Sequence, residues 1–162
     1  IDGWATMDGI GLVGRISGVA QNTSRVILLT DASSRIPATI EPSGQHAIIA
    51  GDNTSAPPID FLENPDLLRA GDRIVSSGDG EVFPAGLLIG QVAEDPGGRL
   101  RVRLAADYER LNFLRVMRLK LTKLDEQILT FDLVADLDFD LVDGAVGEGV
   151  NGGLHFHGFE DG

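Results

Sequence analysis

Two small related β-barrels in tandem, followed by an acidic C-terminal tail, are predicted for this chain, an all-β fold. Three observations predict it. Short β-type apolar runs recur along the sequence, turns rich in glycine and proline separate them, and the first half shares a plan with the second. Closely spaced short strands with such turns mark barrels and sandwiches, in which the chain reverses after every strand.

The runs fall at residues 25–30, 36–40, 47–50, 73–76, 100–104 and 114–119. Pro42-Ser43-Gly44, Gly51-Asp52-Asn53, Ser77-Gly78-Asp79-Gly80 and Asp95-Pro96-Gly97-Gly98 punctuate them. Arg99, Arg101 and Arg103 alternate with Leu100, Val102 and Leu104, a period of two that puts one face in water and one in a core. Only residues 64–68 and 107–111 read as helical turns; Pro65 suits a first helical position and Asp107 a cap.

The stretch GDRIVSSGDGEVFPAGLLIGQV, residues 71–92, concentrates the glycines. Its part GLLIGQV resembles GLVGRI at residues 11–16 with one residue inserted. With Gly14 and Gly90 as anchors, Arg25 matches Arg101, Val26 matches Val102, Leu28 matches Leu104 and Asp31 matches Asp107 at one constant offset. An arginine follows each aspartate, Arg35 and Arg110. Gly14, Gly86 and Gly90 are therefore expected to be folding devices, at sharp bends and close backbone approaches where a Cβ would not fit. The first unit is expected to be incomplete, because most of residues 45–73 has no counterpart in it.

Composition narrows the function. The formal charge is −12, and residues 121–162 hold ten acids against the single base Lys123. Nucleic acid is thus not an expected partner. The basic segment from Arg99 to Lys120 reads as the solvated face of strands. Cysteine is absent, which removes disulfides, thiolate catalysis and zinc–thiolate sites together. No apolar run approaches the roughly 18 residues of a membrane span.

Candidate chemistry is thin. Gly78-Asp79-Gly80-Glu81-Val82-Phe83 lacks the third glycine of a phosphate cradle, and its two acids would repel the ligand. A cryptic two-barrel serine hydrolase would draw on His46, on Ser33, Ser34, Ser76 or Ser77, and on Asp31 or Asp72, yet no serine sits in a nucleophile elbow. His155 and His157 would share a strand face, and Asp136, Asp138 and Asp140 resemble part of a calcium loop. That run, however, lacks the loop's glycine and closing glutamate. No catalytic residue, metal or cofactor is expected.

Several quoted pieces resemble one family in order and spacing. GLVGRI and SRVILLTDASSRIPA (within residues 11–38), then residues 71–92, then AADYERLNFLRVMRL, are similar to the rod shape-determining protein MreC family across residues 1 to about 120. The resemblance implies the periplasmic, mostly β region of a non-enzymatic scaffold in the bacterial elongation machinery. An N-terminal membrane anchor would lie upstream. The implied partners are the elongation-specific penicillin-binding transpeptidase, with MreD, MreB and RodA in the complex, and further copies of the scaffold itself. A secretion-type periplasmic adaptor is the alternative, but it would need a repeated lipoyl-like hairpin flanking a coiled coil.

The expected division is residues 1–42 for the first barrel, 43–120 for the second and 121–162 for an acidic tail outside the shared core. Phe61, Phe83 and Tyr108 lie beside turns where a barrel could expose them, and they are the candidate partner-binding residues.

Overall fold

The computed structural model describes residues 3–119, 131–138 and 154–155. Twelve strands follow in chain order: β1 (Ala5–Met7), β2 (Leu12–Val19), β3 (Ser24–Leu28), β4 (Arg35–Glu41), β5 (Gln45–Ala50), β6 (Ile59–Asp60), β7 (Arg73–Ser76), β8 (Leu88–Glu94), β9 (Leu100–Leu104), β10 (Phe113–Leu119), β11 (Phe131–Asp138) and β12 (Leu154–His155). Two short 3-10 turns, Pro65–Leu67 and Asp79–Glu81, complete the described elements. None of the described helices is long and apolar enough to cross a membrane.

The strands form two six-stranded sheets, ordered β11-β10-β1-β2-β3-β12 and β6-β5-β4-β7-β8-β9, with antiparallel pairing throughout. Alternation sets which side chains go inside. In β4, Ile36, Ala38 and Ile40 are buried while the residues between them are not. The second sheet nearly closes on itself, because Pro58 bridges to Arg101 and the Val102 N–H donates to Pro57 O at 2.9 Å. This brings β6, at one end of the sheet, against β9 at the other.

The repeat read from the sequence is present in the pairing register. Gly14 lies opposite Leu28, and Gly90 opposite Leu104. Thr6 faces Gly14 and Ile74 faces Gly90, with a register slip directly after both Thr6 and Ile74. The Leu29 N–H donates to Val13 O at 2.9 Å, and the Ala105 N–H donates to Ile89 O at 2.9 Å. Asp31 and Asp107 follow equivalent strands, β3 and β9, in equivalent turns. The carbonyl of each accepts the N–H three residues on, from Ser34 at 2.8 Å and Arg110 at 3.2 Å. The carboxylate of each accepts the N–H two residues on, from Ser33 and Glu109.

The fourth strand of each unit is exchanged. β4 follows β3 in the chain but pairs with β7, and β10 follows β9 but pairs with β1. The matching registers, Ile40 opposite Ile74 and Val116 opposite Thr6, show that the two exchanges are equivalent. The linear division at residue 42 therefore needs correction. β4 and β5, on either side of that boundary, are one hairpin of the second sheet. The boundary near residue 120 moves as well, because β11 pairs with β10 as β5 pairs with β4. The first unit's missing strand lies in the segment read as tail.

Exchange ties the two cores together. One buried cluster contains Ile36, Ile40, Ile49, Ile74, Ile89 and Val102, together with Ala5, Leu12 and Leu29 from the other sheet and its link. The second contains Val13, Ile16, Val26, Leu111, Leu114 and Val116. Tyr108 packs against both.

Candidate partner-binding surfaces

Gly14 and Gly90 owe their identity to close approach. A Cβ on Gly14 would lie 2.0 Å from Ile27 O, and one on Gly90 would lie 2.1 Å from Arg103 O. Backbone occupies the space in both cases, so no side-chain movement could make room. Gly86 is different: its φ is +85° and nothing lies within 4 Å of a Cβ built on it. There the left-handed turn alone calls for glycine.

The three aromatic candidates part company. Phe83 is 4% exposed and belongs to the first buried cluster. It plugs the end of the barrel and is not a surface anchor. The loop carrying it is tied down through Ser76, whose hydroxyl donates to Pro84 O and accepts the Leu87 N–H at 2.9 Å. Tyr108 is half-buried, packed against both clusters with its hydroxyl donating to Val13 O at 2.9 Å. Burial, followed by the nearby Asp8 carboxylate, pushes its phenol well above the ordinary range. Only Phe61 is displayed, at 79% exposure.

Phe61 also has φ +61°, a left-handed conformation uncommon for a bulky residue. Its loop is held by Gln45, whose side-chain amide accepts the Asn64 N–H at 2.9 Å and donates to Asn64 O at 3.1 Å. Leu67, on the following 3-10 turn, is exposed too. Pro65 opens that turn, as the sequence predicts.

A second exposed apolar pair escaped the sequence reading. Ile10 and Phe113 border a groove of about 540 Å³ whose lining includes Asp8, Arg110, Asn112 and Arg115. Asp8 shapes its rim by accepting the N–H groups of Ile10 and Gly11 at 2.6 Å each and that of Asp107 at 2.9 Å. The signal for Phe113 was available. Leu114 and Val116 are the inward residues of β10, so the alternation turns Phe113 outward. Ile10 stands between Gly9 and Gly11 in a loop too short to fold over it.

The triad alternative fails on geometry. Ser77 Oγ donates to Asp79 Oδ2 at 2.7 Å, and His46 Nδ1 lies 3.6 Å from the same oxygen. The carboxylate thus sits between serine and histidine, whereas a triad needs the imidazole between the other two. Ser76 is buried and bonded to backbone. Asp140 and His157 lie outside the described residues.

The charge cluster around Arg101 is structural. Arg101 donates from Nη1 to Asp52 Oδ2 at 2.6 Å and to Ala56 O at 3.0 Å, and its Nε is 3.8 Å from Asp95 Oδ2. These contacts lie where Pro58 meets Arg101 and fasten the barrel seam. Burial works against ionisation of Asp52. The Thr54 hydroxyl, then Arg101, outweigh it and hold the carboxyl below its ordinary value.

Comparison with known proteins places this architecture. The family model described as "Rod shape-determining protein MreC, barrel core" matches residues 2–118. Cell shape-determining protein MreC of Cereibacter sphaeroides is 73% identical over 117 residues, covering 72% of this chain and 39% of that protein. The chain thus spans about two fifths of the length of that relative. The crystal structure of MreC from Pseudomonas aeruginosa superposes with a TM-score of 0.61 at 32% identity, over 68% of this chain and 76% of that one. A complex between penicillin-binding protein PBP2 and MreC from Helicobacter pylori matches with a TM-score of 0.55 at 16% identity, over 68% of this chain and 74% of that one, a likeness of fold. By the family match and the identity to its relative, the chain belongs to the rod shape-determining protein MreC family.

Proposed function

We propose that this region is a non-enzymatic periplasmic scaffold of the bacterial elongation machinery. It binds the elongation-specific penicillin-binding transpeptidase, assembles with MreD, MreB and RodA, and self-associates. The observation that carries the reading is the 73% identity to a cell shape-determining protein across the barrel core. The Helicobacter pylori complex adds that a protein of this fold meets PBP2. Two exposed apolar features, Phe61 with Leu67 and Ile10 with Phe113, supply the kind of surface such work needs. Titration calorimetry of this chain against the transpeptidase ectodomain tests the proposal. Saturable binding in the micromolar range or tighter is expected, and no heat of binding at about 100 μM of each protein would refute the transpeptidase part.

A further inference from the structure

The two units differ most in the loop that joins their first two strands. In the second unit residues 76–87 run from the end of β7 to β8 and fold back over the sheet. Phe83 is buried there, and the Ser77 N–H donates to Pro37 O at 3.1 Å at the start of β4. In the first unit only residues 8–11 join β1 to β2. Nothing in that loop corresponds to Phe83. Phe113, at the repeat position of Pro37, is 58% exposed, and Ile10 is 64% exposed beside it. One unit carries its own aromatic plug, and the equivalent place in the other is the open groove.

We infer that this groove receives the Phe61 loop of a second copy of the chain, giving a head-to-tail contact. The inference rests on the self-association proposed above and assigns its two surfaces. The Phe61 loop has the required form. Its aromatic side chain is 79% exposed at φ +61°, and Gln45 clamps the loop. A clamped loop loses little freedom on docking. Charge fits as well. Asp60, Glu63 and Asp66 flank Phe61 and Leu67 in sequence, while Arg110 lines the groove and Asp8 spends its carboxylate on three backbone N–H groups.

The donor and acceptor surfaces are different parts of one chain, so the contact is heterologous and repeats from copy to copy. A single aromatic in a groove gives a weak contact, which gains strength only through repetition or tethering.

Sedimentation velocity on the 162-residue chain tests the inference, with circular dichroism confirming that each variant is folded. The wild type is expected to form concentration-dependent assemblies. Phe61→Asp and Phe113→Asp should each weaken assembly about tenfold or more. Their mixture should form one-to-one pairs, because each variant keeps the half that the other lacks. Arg110→Glu should weaken assembly, and adding Glu63→Arg should restore it. Should Phe113→Asp fail to fold, Ile10→Asp takes its place in every arm. A wild type that stays monomeric at millimolar concentration overturns self-association and this contact together. Assembly that survives both aromatic variants, or a mixture that forms no pairs, overturns the contact alone. Loss of transpeptidase binding in Phe113→Asp with assembly unchanged assigns the groove to that enzyme and also overturns it.

Discussion

Replacing Gly90 by alanine adds one methyl group, and the structure sets where it must go. It would lie 2.1 Å from Arg103 O and 2.9 Å from Arg103 C, both backbone atoms of the paired strand β9. A tolerable contact needs roughly 3 Å or more, so β8 and β9 must separate locally by about an ångström. The adjoining bond from the Ala105 N–H to Ile89 O, now 2.9 Å, would stretch beyond useful length. One lost hydrogen bond costs about 1 kcal/mol, and strain from overpacking a well-packed core adds about 1–3 kcal/mol. The sum is about 3 kcal/mol, a fall in Tm on the order of 10 °C for a domain of this size. Gly14→Ala should cost about as much, because its Cβ would meet Ile27 O at 2.0 Å in the same register. Gly86→Ala, strained only by φ +85° with open space around it, should cost about 1 kcal/mol. Thermal and urea denaturation of the three variants give the order. If Gly90→Ala melts within a degree or two of the wild type, or below neither Gly86→Ala nor the wild type, the close-approach account is wrong.

Thr6 is buried at 0% exposure with its Oγ1 lacking a hydrogen-bond partner, at the position occupied by Ile74 in the other unit. Thr6→Val should therefore stabilise the fold by about 1 kcal/mol, read as a higher urea midpoint; a lower midpoint would show that the hydroxyl is satisfied in solution. Asp52 has a folded-state pKa below its unfolded value, so its contribution is full above about pH 4 and is lost as pH falls through the folded value. Asp52→Asn should lower Tm by a few degrees at pH 7 and flatten its fall below pH 4; an unchanged acid limb would detach this group from acid unfolding. Deleting residues 120–162 removes β11 and β12 from the first sheet and should lower its stability, measurable as faster hydrogen exchange in β10 and β3. Unchanged exchange would restore the original reading of that segment as a tail outside the core.

Much of the fold was legible in the chain itself. The repeat anchored on Gly14 and Gly90 fixed the register of two hairpins, because a glycine required by close backbone approach marks one place on its partner strand. Alternation in β9 told which residues face inward: Val102 is buried, and Leu100 and Leu104 pack against the same cluster. Proline at the first position of the Pro65–Leu67 turn and aspartate at residue 107 placed two turns, since both act through bonds only a few residues long. Membership of the family was likewise carried by the sequence of these motifs.

Tertiary structure alone decided which unit owns which strand. The local patterns of β4 and β10 are the same whether each folds back on its own hairpin or crosses to the other sheet, so nothing in them reveals the exchange. Exposure of the aromatics was undecidable for a similar reason. Phe61, Phe83 and Tyr108 all stand beside turns, but burial depends on what the long-range chain path brings over them. A folded-back loop buries Phe83, two cores half-bury Tyr108, and nothing covers Phe61 among the described residues. Local sequence sets backbone shape and the alternation of faces. Non-local packing decides which face meets water.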